Sequence, residues 1–222
     1  MAQRDAVVVE NRKAVENPAK LVKLQRVNNE RVRYFNQYDE NEETNLRAAI
    51  RAKHPKREPE LDLALHTGLR ADEQRQLTWD DVDLRLNLIT LRETKAGKKQ
   101  RVPLNADAKL ALAKLRAQAP KSEHVCPDRT DFRRRWWDEV RKDAGTLDFH
   151  WHDLRHTFAS RLVMAGVDIL TVNKLLRHAT LQVTMRYAHL AETRLHEAVA
   201  KLELGSVQEV LQPAAGQSAT IH

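Results

Sequence analysis

The hydrophobic pattern of this 222-residue chain has helical spacing over most of its length and changes period in one region. Residues 88–91 and 102–104 are short runs rich in β-forming side chains, and the polar segment between them supplies a turn. Elsewhere apolar residues recur at helical intervals, as Leu154, Phe158 and Leu162 do. The sequence therefore predicts an α+β fold that is mainly helical, with one small antiparallel sheet or hairpin.

Acidic first turns, glycines and prolines set the expected limits of the helices. Pro55 ends the first helix, Gly68 the second and Gly166 the helix that begins near Trp151. The first helix is expected at residues 40–53. The other expected helices cover residues 71–79, 106–117, 131–142, 168–176, 180–189 and 192–202.

Composition narrows the class of protein. Hydrophobic residues make up 41% and charged residues 31% of the chain, which is typical of a globular protein rather than a disordered one. No stretch reaches the roughly 18 apolar residues of a membrane span. The 38 basic and 31 acidic residues give a net charge of +7, which favours a polyanionic partner without proving one.

Two groups of polar residues have the character of an anion site. His152 and Arg155 are three residues apart, so a helix presents an imidazole and a guanidinium on one face. Arg70 follows Gly68 at the start of a helix whose unpaired N–H groups favour anions, and Glu73 could brace it. Taken alone, each pair is also compatible with a purely structural helix.

The other two groups are a basic hairpin and a tyrosine. The segment from Arg92 to Arg101 holds five basic residues and one acid, and a β-ribbon of this charge can lie against DNA. Tyr187 follows His178 by nine residues and stands beside Arg186. A tyrosine needs cations or a base to become a nucleophile, because its ordinary pKa is about 10. A solvated hairpin and a half-buried core tyrosine are the alternatives when each is taken alone.

A zinc site is a weaker interpretation of the histidines. His150, His152 and His156 have spacings that occur in such sites, but no carboxylate or thiolate completes the set. Phosphate contact is therefore the better interpretation. Cys126 is the single cysteine, so an internal disulfide is impossible and a reducing compartment is expected.

Taken together and in order, these segments resemble the tyrosine recombinases, or phage integrases. The resemblance rests on residues 67–70, on Thr94-Lys95 with 101–104, on HDLRHTFAS at 152–160, and on 175–180 with 186–189. It covers roughly residues 30–202, the whole catalytic domain of that family. It implies the tyrosine-recombinase catalytic fold, in which helices surround a small antiparallel sheet.

The resemblance implies a site-specific DNA recombinase that needs no metal, ATP or other cofactor. Tyr187 would attack a DNA phosphate, forming a 3′-phosphotyrosyl link and a free 5′-hydroxyl, and a partner strand would reverse the step. The implied roles are charge clamps at Arg70 and Arg155, a hydrogen bond from His178, a general acid at Lys95 with Lys98 and Lys99 as rivals, a proton acceptor or relay at His152, and a structural carboxylate at Glu73.

One position departs from the family's pattern. The residue before His178 is usually glycine there and is Arg177 in this chain, a cation that we expect either to touch a phosphate or to point to solvent. Further DNA contacts are expected from Lys98, Lys99 and Arg101.

The resemblance also suggests how the chain is organised. Residues 1–38 would be a lead-in or linker from a missing or truncated N-terminal DNA-binding domain, and residues 39–202 the catalytic domain. Residues 203–222 would form a tail that docks on a neighbouring protomer and is mobile at its end. The implied partners are double-stranded DNA, three further copies in a tetramer on DNA formed from monomers, and accessory DNA-bending or directionality proteins. The implied location is the cytoplasm, with a bacterial, phage or mobile-element origin and no membrane partner.

Two other functions use similar residues. A non-catalytic or truncated integrase would bind DNA without cleaving it, although every implied catalytic position is filled here. A relaxing enzyme of the type IB topoisomerase kind would rotate the free strand rather than exchange it. The spacing from His178 to Tyr187 and the stretch at 152–160 favour a recombinase.

Overall fold

The structure is a computed structural model that describes residues 32–91, 99–127 and 135–194, together with residue 199. The expected helix at 192–202 falls largely outside these residues, as do most of the expected lead-in and the whole tail. The start expected for the helix at 131–142 is outside them too.

Helices dominate the described residues, and a three-stranded antiparallel sheet, whose strands pair in chain order, accompanies them. The predicted mainly helical α+β class is therefore confirmed. The α-helices are α1 (Glu42–Lys53), α2 (Glu58–Thr67), α3 (Ala71–Gln76), α4 (Ala106–Gln118), α5 (Arg135–Asp143), α6 (Trp151–Met164) and α7 (Ile169–Leu176). The strands are β1 (Val82–Asp83), β2 (Leu88–Leu91) and β3 (Gln100–Pro103). The 3-10 helices are Pro55–Arg57, Trp79–Asp81, Leu181–Val183 and Met185–Arg194.

Short polar side chains and one glycine fix several helix ends. The side chains of Asn105 and Asp168 cap α4 and α7 by accepting backbone N–H groups three residues on. Gly68 ends α2 in the left-handed region at φ 58°, where a residue with a Cβ is strained. The predicted stop at Gly68 is confirmed, and it turns the chain directly into α3.

Three local expectations need correction. The third helix ends at Gln76 rather than near Trp79, because Leu77 and Thr78 are extended and Asp81 caps a separate 3-10 turn. The two-residue strand β1 was not predicted. Residues 180–189 form two 3-10 segments instead of one α-helix, and the side chain of Thr184, bonded to Asn173 and His178, anchors the chain between them.

The buried apolar residues form two clusters. The larger one joins α1, α2, the sheet, α4 and α5, with Leu46, Leu61, Ile89 and Leu112 fully buried. The smaller one lies between α6, α7 and the 3-10 helix Met185–Arg194, and it contains Tyr187. Helix α6 contributes to both clusters, so its polar residues lie where the two meet. No helix in the described ranges is both long and apolar enough to cross a membrane.

The end of the expected lead-in is built into the larger core. Arg33 is 2% exposed and pairs with Glu42 and Asp148, while the ring of Phe35 stacks on Phe149 at 4.0 Å between centroids. The compact unit begins at Val32, so it includes residues 32–38 of the expected lead-in.

Candidate active site

The turn between α2 and α3 presents Arg70. The backbone N–H of Arg70 donates to Oε2 of Glu73 at 2.8 Å, and its Nη1 donates to Oε1 at 2.7 Å. Its side chain is still 41% exposed. Although burial opposes it, Arg177 and Arg70 together lower the pKa of Glu73, which keeps this carboxylate charged.

Arg155 lies on α6 and is only 3% exposed. Its Nη1 donates to the carbonyl of Gly68 and its Nη2 to the carbonyl of Leu176, so it joins the α2–α3 turn to the end of α7. Burial and the neighbouring guanidiniums of Arg70 and Arg177 lower its pKa. An anion placed among these cations would relieve their mutual repulsion.

The end of α7 brings two more residues to the same place. Arg177 takes a left-handed conformation as the C-cap, and its Nη2 donates to Glu73 Oε2 at 2.7 Å. His178 follows it, and Nδ1 of His178 lies 2.8 Å from the hydroxyl of Thr184. Burial, together with Arg155 and Arg70, lowers the pKa of His178 to about 4, so the ring is neutral at pH 7.

These groups surround an open pocket of about 510 Å³. Its polar lining is mainly cationic and comes from the α2–α3 turn, from β3 and from the end of α7. The basic residues that line it are Arg70, Arg101, Lys174 and Arg177, and His178 and Gln100 complete the polar lining. Such a set fits the oxygens of a phosphate group.

Tyr187 is buried in the smaller core, with 1% of its surface exposed. Burial raises its pKa to about 12, although Arg186 and Arg155 act in the opposite direction. Its hydroxyl lies 2.5 Å from Nδ1 of His156. At neutral pH the tyrosine is protonated, so its hydroxyl donates this hydrogen bond.

His156 is the residue that the sequence prediction missed. Burial and the nearby His152 lower its pKa to about 3, so it is a neutral acceptor for Tyr187. The ring of His152 packs edge-on against it at 5.0 Å, and His152 itself is exposed with a pKa lowered by partial burial and by Arg155. The i, i+4 spacing of the two histidines on α6 was the available signal.

The structure thus brings Arg70, Arg177 and His178 together around one pocket, and Glu73 and Arg155 are bonded to the segments that carry them. His152 and Tyr187 lie beside them, joined through His156.

Other predicted residues lie at the rim or beyond it. Lys99 and Arg101 are exposed at β3, where DNA contact remains a prediction, while Lys95 and Lys98 lie outside the described residues. The Arg177 side chain does not point to solvent, since it is 3% exposed and paired with Glu73, although Arg177 is one of the residues that line the pocket. Within the described ranges, no three His, Cys, Asp or Glu residues are grouped so that they could share a metal ion.

Comparison with known proteins identifies the class to which this fold and site belong. The sequence profile of the phage integrase family matches residues 25–194. The chain therefore belongs to the phage integrase family, as the resemblance predicted.

Named relatives of the chain are recombinases and integrases, in agreement with this family. The chain is 34% identical over 130 residues to tyrosine recombinase XerA of Saccharolobus solfataricus, covering 59% of this chain and 44% of XerA. It is 35% identical over 147 residues to the integrase of Haemophilus phage HP1, covering 64% of this chain and 41% of that integrase. The chain thus spans less than half the length of either relative.

Solved structures share the fold. The catalytic domain of bacteriophage HP1 integrase superposes with a TM-score of 0.58 and 27% identity, covering 79% of this chain and 98% of that domain. The XerA recombinase superposes with a TM-score of 0.58 at 24% identity, covering 78% of this chain and 66% of XerA. The described residues therefore have the architecture of a tyrosine-recombinase catalytic domain.

Proposed function

We propose that this chain carries the catalytic activity of a site-specific DNA recombinase that cleaves and rejoins strands through Tyr187. The observation that carries the proposal is the position of the Tyr187 hydroxyl. It is buried within the electrostatic reach of Arg155, which joins the α2–α3 turn to the end of α7 where Arg70 and His178 line the pocket, and it already donates a hydrogen bond to His156. A phosphate in that pocket would have cations on one side and a nucleophile on the other.

In the proposed cleavage step, the oxygen of Tyr187 attacks the phosphorus and the bond to the 5′-oxygen breaks. The phosphate stays on Tyr187 as a 3′-phosphotyrosyl ester, and the released strand ends in a 5′-hydroxyl. A 5′-hydroxyl from a partner strand then attacks the same phosphorus and releases the tyrosine. No net bond energy is lost, so the scheme requires no ATP.

The charges of the described residues suit the transition state of this step. Negative charge grows on the non-bridging oxygens as the fifth bond forms, and Arg70, Arg155 and His178 are placed to stabilise it. These donors are held in advance by Glu73 and by backbone carbonyls, so little reorganisation is needed. Each such donor is worth roughly 3–4 kcal/mol in other enzymes.

The protons of the scheme need an acceptor and a donor. We assign the acceptor role to the pair His156 and His152, since both rings are held largely neutral and His156 already receives the hydroxyl hydrogen of Tyr187. His152, at the exposed end of the pair, would pass the proton on. Lys95 stays the proposed acid that protonates the leaving 5′-oxygen.

Duplex DNA is the proposed substrate. The transposon Tn1549 integrase, which shares the fold at a TM-score of 0.59 and 19% identity, was solved in complex with transposon right end DNA. The basic rim at Lys99 and Arg101 suits a similar partner here. Assembly as a tetramer on two duplexes, with accessory DNA-bending or directionality proteins, belongs to the same proposal, since strand exchange needs four strands cut.

Covalent trapping tests the proposal. The protein is incubated with nicked duplexes made from the DNA that flanks its gene, and an SDS-resistant, protease-sensitive complex is sought. We expect Tyr187→Phe to abolish this complex and Tyr38→Phe, at a tyrosine that is 75% exposed, to leave it intact. Arg155→Lys should lower its rate of formation by about two to three orders of magnitude.

Two results would count against the proposal. A complex that persists in Tyr187→Phe would place the nucleophile at another residue. DNA binding without any complex would favour a chain that occupies DNA without cleaving it.

A further inference from the structure

The geometry points to Arg177 as a positioning residue that fixes Glu73 and, through it, the guanidinium of Arg70. The inference rests on the proposed function only for the identity of what Arg70 binds. Its central claim, that Arg70 is held by way of Arg177, concerns contacts within the chain.

The backbone at Arg177 is unfavourable for an arginine. Its φ of 57° lies in the left-handed region that glycine adopts freely and that residues with a Cβ rarely enter. The side chain is also buried, with 3% of its surface exposed. A long charged side chain that is strained and desolvated needs specific partners to be retained in a stable fold.

Those partners form a continuous path to Arg70. Nη2 of Arg177 donates to Oε2 of Glu73 at 2.7 Å, and its Nη1 donates to the carbonyl of Leu175 at 2.8 Å. The same Nη2 lies 3.5 Å from the carbonyl of Gly68. Arg177 therefore ties the end of α7 to both limbs of the α2–α3 turn, two residues before Arg70 and three residues after it.

Glu73 divides its oxygens between the two arginines. Oε1 receives Nη1 of Arg70, while Oε2 receives Nη2 of Arg177 and the backbone N–H of Arg70. Because Arg177 holds the second oxygen, the carboxylate cannot rotate to chelate Arg70 with both. Arg70 is then bound at one nitrogen and lines the pocket with donors to spare.

A surface ion pair at spacing i, i+3 would not fix Arg70 by itself. The Arg70 side chain is 41% exposed, and pairs of that kind order long side chains weakly. Glu73, by contrast, is 14% exposed and Arg177 is 3% exposed. The buried Glu73–Arg177 pair is thus the more rigid of the two ion pairs. It fixes the carboxylate of Glu73, and this carboxylate in turn fixes the guanidinium of Arg70.

Side-chain NMR of the 222-residue chain tests this directly. The ¹⁵Nη signals of Arg70 are assigned by their loss in Arg70→Lys, and the hydrogen exchange of Nη1, which donates to Glu73, is then followed in Arg177→Met, Arg177→Lys and Glu73→Gln. We expect each variant to exchange about tenfold faster than wild type, the effect of losing one charge-assisted hydrogen bond. Arg177→Lys keeps the charge but not the forked geometry, so it separates position from charge.

The double variant Arg177→Met with Glu73→Gln should exchange no faster than either single variant, because both act on one path. Asn87→Gly is the matched control, since Asn87 also has a left-handed backbone at φ 55°, and it should leave Arg70 unchanged. Thermal denaturation of every variant shows which ones are folded, and Arg177→Lys and Glu73→Gln carry the test if Arg177→Met unfolds.

Two outcomes would overturn the inference: wild-type exchange in Arg177→Lys, which would leave only a charge effect, or additive effects in the double variant. The readout uses no DNA, so it is independent of covalent trapping. If trapping fails while Arg70 responds as expected, the proposed function falls and the positioning role stands. If trapping succeeds and Arg70 does not respond, the reverse holds.

Discussion

At the scale of single residues, the contact between Tyr187 and His156 defines the resting state of the proposed nucleophile. Both groups are buried, and each is the hydrogen-bond partner of the other. We expect His156→Leu to lower the free energy of unfolding by about 1–3 kcal/mol, because it leaves a buried hydroxyl without an acceptor. Urea denaturation measures this loss.

A double-mutant cycle with Tyr187→Phe separates the hydrogen bond from general packing. The loss in His156→Leu with Tyr187→Phe should fall short of the sum of the single losses by about 1 kcal/mol, the usual net value of a hydrogen bond. Tyr38→Phe, at an exposed ring, should combine additively with His156→Leu. Additive losses in the His156–Tyr187 cycle would contradict the contact.

The buried histidines also predict how stability depends on pH. Burial lowers the pKa of His156 to about 3, and burial with Arg155 lowers that of His178 to about 4, against about 6.5 in an unfolded chain. Between these values the unfolded chain binds more protons than the folded one, so the free energy of unfolding falls as the pH is lowered. Carboxylates begin to titrate below about pH 5.5, about one unit above their ordinary pKa, so the loss between pH 6.5 and about 5.5 belongs to histidines.

Urea denaturation at pH 7, 6 and 5 measures this slope. His156→Gln, which lacks a titrating ring, should reduce it, while His189→Gln, at an exposed histidine, should leave it nearly unchanged. A wild-type protein equally stable at pH 7 and pH 5 would contradict the prediction.

Residue spacing gave part of the site and missed part of it. The i, i+3 pairs Arg70–Glu73 and His152–Arg155 were recognisable because one helix presents both members. The pairing of Arg177 was missed, because the pattern alone does not reveal that Glu73, 104 residues away in sequence, takes up its charge, while phosphate contact by Arg177 stays a prediction. The contact between Arg177 and Glu73 was not predictable because the two residues are far apart in sequence, not because of their residue types.

At the scale of elements, the turn between α2 and α3 is the part of the site that tolerates substitution least. Gly68 combines a φ of 58° with a position where an added Cβ would overlap the ring of Phe158. Gly145 has a φ of 70° but nothing within 4 Å of an added Cβ. Gly145→Ala should therefore cost about 1 kcal/mol of stability from backbone strain alone.

Gly68→Ala should cost more than Gly145→Ala, by about 1–3 kcal/mol, because the clash with Phe158 adds to the same strain. It should also slow covalent trapping, since the carbonyl of Gly68 receives Arg155. Denaturation of the two variants side by side measures the difference. Equal losses would show that Phe158 moves aside without cost.

The elements that the sequence predicted well are those with strong local signals. Gly68 and the Asp168 cap mark helix ends by their own chemistry, and the α-helical limits there hold. The 3-10 segments on either side of Thr184 depend instead on bonds to Asn173 and His178. Tertiary contacts of this kind override local propensity, so periodicity alone predicted a helix.

At the scale of the molecule, the compact unit includes residues 32–38 of the expected lead-in. Charged residues before residue 38 resemble a linker, but Arg33 is held by carboxylates from α1 and from the segment before α6. The guanidinium of Arg33 can be buried only because it has carboxylate partners, and one of them is distant in sequence. The hydrophobic pattern of the sequence does not reveal such partners. Arg33 thus joins the start of the unit to two of its helical regions.

This junction gives a final prediction. Arg33→Met should lower the free energy of unfolding by about 3 kcal/mol or more, because it leaves the buried carboxylate of Glu42 without its cation. Arg51→Met is the matched control: its side chain is 61% exposed and pairs with Glu58, so its loss should be much smaller than that of Arg33→Met. Replacing Glu42 by Met as well should recover part of the loss, because no charge is then buried alone. A small effect of Arg33→Met in urea denaturation would mean that residues before α1 add little to the stability of the unit.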